Sequence, residues 1–151
     1  MVFKSEVQLK SFVLAKCKNA ISKAENKIYK VIDEHLNRFY GEYNPVEYIR
    51  TKQLLHSLVR TGVKQVGNGY EAEVYFDVSK LNYPNPAMGQ SGAYHSADLS
   101  SQQILDLAMQ GSHGGWKDGT AIWNDSVFWI GGDLMKLLLD ELKSQGIPIV
   151  K

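Results

Sequence analysis

The chain has 151 residues, 44% of them hydrophobic and 22% charged, the balance of one ordinary globular domain with a core of its own. Seventeen basic residues meet sixteen acidic ones for a net charge of +1, which argues against a dedicated nucleic-acid binder. The single cysteine, Cys17, excludes an internal disulfide, and no apolar run approaches the roughly 20 residues that span a bilayer.

The N-terminus, "MVFKSEVQLK", lacks a signal-peptide core, so a soluble product of the cytosol is expected. Ser5 and Gln8 then have the spacing of a capping box. From Leu9 through Phe12, Val13, Cys17, Ala20, Ile21, Ala24, Ile28, Val31, Ile32 and Leu36 to Phe39, apolar side chains recur at spacings of three and four. That period predicts one long helix, with Cys17 as a small buried side chain and Gly41 as a left-handed stop. Lysines fill much of its other face. A helix over about 6–40 is roughly 50 Å long, whereas a domain of this size is only roughly 35–40 Å across. It must overhang its domain, in which case another chain covers its apolar stripe, or bend near Asn19 or Asn26.

Asn44, Pro45 and Glu47 predict the start of a second helix through "VEYIRTKQLLHSL". The "GNG" at 67–69 is a hairpin turn. The "YEAEVYFDV" after it alternates, with Tyr70, Ala72, Val74, Phe76 and Val78 on one side, and pairs with "VRTGVKQV" before the turn. Residues 82–101 read as a long loop of the kind that is usually functional. Ser100 or Ser101 caps a short helix. Asn124 or Asp125 opens a last one, weakened in the middle by Gly131 and Gly132 and ended by Gly146.

The expected fold is therefore α+β, one domain over 1–151. A long helix over 1–41 is followed by a helix plus hairpin over 44–80, the loop over 82–101, and helices over 102–146. The sheet is small and antiparallel, and the C-terminal helix packs on it.

Residues for chemistry are sparse. His35, His56, His95 and His113 show no metal-ligand spacing, no G-x-S-x-G elbow is present, and the glycine-rich stretches lack a phosphate-loop context. No catalytic, cofactor-binding or metal residue is assigned, and no cofactor is expected. The enzyme alternative would be a small hydrolase using His95, His113 and nearby Asp or Ser on the two loops. Asp33/Glu34 and Asp140/Glu141 read as solvated helix faces. The lysine face of the first helix reads the same way, with a phosphate-facing surface as the alternative. Of the tryptophans, Trp129 lies on the apolar side of a helix and is expected in the core. Trp116, after Gly114 and Gly115, is an interface candidate. The segment "GSHGGWKDG" around it reads as a crossing loop whose glycines permit close approach to another chain.

The stretch "EYIRTKQLLHSLVRTG" resembles a motif of the tail-completion family of long-tailed phages, which acts in head–tail joining and tail morphogenesis. In that family an N-terminal helix precedes a T-G-x-L-x-x-S-hydrophobic signature, a hairpin, a glycine-bearing element and a C-terminal helix. Thr51, Leu54, Ser57 and Leu58 match the signature in spacing, and Lys52 stands where the family has glycine. Gly111 and Ser112 fall at the later element, with Met109 and Gln110 replacing its acidic and aromatic residues.

The resemblance implies a structural virion protein without catalysis. It would be a homo-oligomeric ring at the head–tail junction or tail end, docked on connector or adaptor and tail-tube or tail-terminator proteins, near DNA in the channel and away from any membrane. It would reside in the virion and, during assembly, in the host cytoplasm. A phage-encoded binder of a host protein is the other non-enzymatic expectation.

Overall fold

A computed structural model describes residues 2–42, 52–81, 100–109 and 122–149. It is α+β, with a long N-terminal helix, two small antiparallel sheets and C-terminal helices. Helix α1, Glu6–Glu42, runs unbroken for 37 residues, about 55 Å at the usual rise. Its start is capped much as expected: Gln8 N–H donates to Ser5 Oγ at 3.3 Å, while Gln8 Oε1 accepts from Lys4 N–H at 3.0 Å. Neither asparagine breaks it, and Asn26 Nδ2 donates back to the Ser22 carbonyl at 2.8 Å.

Gly41 does not stop the helix. Its φ is not positive, and the helix continues to Glu42. Glycine permits a left-handed stop without imposing one, and inside a helix it costs only about 1 kcal/mol relative to alanine.

The second helix is described only at its end, as α2, Gln53–Ser57; the caps expected at Asn44 to Glu47 lie outside the described residues. The hairpin is broken into two ladders. Strands β2 (Lys64–Val66) and β3 (Gly69–Glu71) pair antiparallel around the Gly67–Asn68 turn, with Val66 opposite Gly69 and Lys64 opposite Glu71. Strands β1 (Leu58–Arg60) and β4 (Val74–Phe76) pair separately. Thr61 N–H donates to the Glu73 carbonyl and Asp77 N–H to the Ser57 carbonyl, at 3.0 and 2.8 Å.

From the pair 61/73 to the pair 64/71 the first strand advances three residues for two on the second, the count of a β-bulge. Gly62, at φ +69, supplies the left-handed residue there. The expected alternation survives the break: Tyr70, Ala72, Val74 and Phe76 are half-buried, whereas Glu71, Glu73 and Tyr75 are exposed.

A 3₁₀ turn, Val78–Lys80, follows, then helix α3, Ser101–Met109. Ser100 and Gln103 form the reciprocal capping box, with Ser100 N–H donating to Gln103 Oε1 at 2.8 Å and Gln103 N–H to Ser100 Oγ at 3.3 Å. The C-terminal helix is two helices. Helix α4, Ile122–Trp129, ends before Gly131 and Gly132, at φ +95 and +73. Asp133 then caps α5, Leu134–Ser144, accepting from Met135 N–H at 2.8 Å. Gly146 ends α5 as expected, in a Schellman motif: its N–H donates to the Lys143 carbonyl and that of Ile147 to the Leu142 carbonyl.

The contacts gather into two compact units. One holds α1 up to Tyr29, Arg60–Val74 and the chain from Ile130; its buried apolar residues are Ala20, Ala24, Ile130 and Leu137. The other holds α1 from Lys30, the chain to Val59, and Tyr75–Trp129. Its apolar core is larger and includes Ile32, Leu36, Leu54, Leu58, Leu105 and Ile122. No residue of α1 before Ala20 is buried, and Cys17 is half-buried.

Candidate interaction surface

The signature residues form the inside of a corner. Leu54, Ser57 and Leu58 are buried. Ser57 Oγ donates to the Leu54 carbonyl at 2.7 Å, and the Ser57 carbonyl accepts from Asp77 N–H. The serine thus closes the end of α2 and hands the chain to β1 with its hydroxyl satisfied, which an apolar residue there would not do. Their spacing reflects packing, so they are scaffold and not contact surface.

Lys52, at the head of this corner, has φ 56 and ψ 19 and is the one non-glycine residue with positive φ among those described. A left-handed backbone favours glycine, because a Cβ there meets the following carbonyl oxygen at a cost of roughly 1–2 kcal/mol. The slot where the resembling family carries glycine is therefore one whose conformation suits glycine. Thr51, Gly111, Ser112 and Trp116 lie outside the described residues, as do His95 and His113.

Asp77 closes the same corner. Its Oδ1 accepts from Ser79 Oγ at 2.5 Å and Ser79 N–H at 3.1 Å. The Ser79 hydroxyl, then its N–H and the Lys80 ammonium, hold the Asp77 carboxyl below the usual aspartate range against a smaller opposing desolvation.

In the first unit a polar clasp ties α1 to the bulge. Glu25 is buried, and its Oε1 accepts from Gly62 N–H at 2.7 Å. Arg60 Nη1 donates to Asn26 Oδ1, and the guanidinium stands 5.0 Å over the Tyr29 ring. Sequence inspection missed this clasp. The available signal was Glu25 itself, four residues after Ile21 and three before Ile28, a carboxylate on the apolar stripe. Gly62, inside a strand pattern, was the other.

The aromatic residues of α4 overturn one expectation. Trp129 is not core: it is 61% exposed, beside Trp123 at 51% and Phe128 at 76%. Phe128 and Trp129 meet edge to face with centroids 6.2 Å apart. The apolar residues of α4 are not gathered on one face, so burying Ile122 and Ser126 on one side leaves aromatic rings turned outward. Leu134 and Met135 at the start of α5 are also exposed, as are Val2, Val7 and Leu9 at the N-terminus.

Candidates for chemistry are few among the described residues. No three His, Cys, Asp or Glu side chains there are placed to hold a metal ion. His35 is buried, with Nδ1–H donating to the Val31 carbonyl at 2.7 Å. Its Nε2 and Ser126 Oγ are buried without a partner.

The whole span from residue 6 to residue 144 matches the family model described as YomN. The chain belongs to the YomN family. That family is phage-derived, and the membership points to a phage origin. No curated protein and no solved structure matches the chain.

Proposed function

We propose that this member of the YomN family is a structural protein of the phage particle, an adaptor that forms a ring and completes the head–tail junction or the tail end. Its partners would be copies of itself, a connector or adaptor protein, and a tail-tube or tail-terminator protein. It would work in the virion after assembly in the host cytoplasm, with no catalytic step of its own.

The observation that carries the proposal is the amount of large apolar side chain left in water. Phe128, Trp129 and Trp123 are exposed on α4, and Val7 and Leu9 are exposed on α1; large aromatic side chains left in water favour a role in contact with another protein. The left-handed Lys52 adds support, because it gives a physical reason for the glycine of the tail-completion signature at that slot. So does the phage origin of the family.

Deleting the gene from a phage that carries it tests the proposal. Electron microscopy of the lysate is expected to show filled heads and tails that fail to join or to finish, with normal particles restored by the gene in trans. Intact, infectious particles from the deletion would overturn it.

A further inference from the structure

We draw no further inference here: the strongest candidate, the exposed aromatic side chains Trp123, Phe128 and Trp129 on the surface of α4, carries no proposal because nothing in the structure shows what covers them.

Discussion

The two ends of α1 share one hydrophobic period and meet different fates. From Ala20 onward, Ala20, Ala24, Ile32, Leu36 and Phe39 are buried; before Ala20 nothing is, although Val7, Val13 and Leu14 continue the same apolar face. The lesson concerns what periodicity encodes. Apolar spacing says that a helix face wants cover, and it does not say whether the cover comes from the same chain. On the proposed function, the least covered turns of α1 and the exposed α4 aromatics would be the part of the sequence addressed to other molecules.

The largest effect should come from the covered end. Leu36 is fully buried, and Leu36→Ala is expected to destabilise the fold by about 3 kcal/mol, from lost burial plus a cavity. Urea denaturation reads this directly, and a loss under 1 kcal/mol would mean that the second unit's core is misdescribed.

Next comes the clasp between α1 and the bulge. Glu25→Ala leaves Gly62 N–H without its carboxylate partner, at a cost of about 1–3 kcal/mol. Hydrogen exchange at Gly62 should quicken in that variant, and unchanged protection would show that the amide has another acceptor.

In the opposite direction, Lys52→Gly relieves a left-handed backbone and should stabilise by about 0.5–1 kcal/mol after the greater freedom of unfolded glycine is counted. A destabilised variant would place Lys52 in an ordinary conformation.

A smaller effect is electrostatic. Asp77 titrates below its ordinary range because Ser79 hydrogen-bonds its charged form. A carboxyl depressed in the folded state contributes stability above its unfolded value, and the contribution fades as pH falls through the folded value. In Ser79→Ala the Asp77 midpoint should move up toward that of a free aspartate, as followed by carboxyl chemical shift against pH.

The smallest effect sharpens the comparison most. Val7→Ser, at the uncovered end, should change monomer stability by less than about 0.5 kcal/mol while weakening self-association. Together with Leu36→Ala it separates what the helix does for its own fold from what it offers a neighbour.

Much of the scaffold was legible from local chemistry. The Ser5–Gln8 box, the cap at Ser100, the Gly67–Asn68 turn and the Gly146 stop each depend on a few adjacent residues, and each stands where sequence put it. What was illegible depends on choices between local options. Gly41 can stay helical or turn left-handed. Gly131 and Gly132 can weaken a helix or end one, and Asp133, ready to cap the next helix, decides for the break.

The candidate surface was least legible. Leu54, Ser57 and Leu58, singled out as a motif, are scaffold. Trp129, assigned to the core by its apolar neighbours, faces water because Ile122 and Ser126 take the buried side of α4.

Immunogold electron microscopy of purified phage particles, with antibody against this chain, tests the central claim most directly. Label is expected on mature particles at the neck or the tail end, and nowhere on the head shell or tail shaft. Particles that carry no label and no trace of the protein by mass spectrometry would contradict the account.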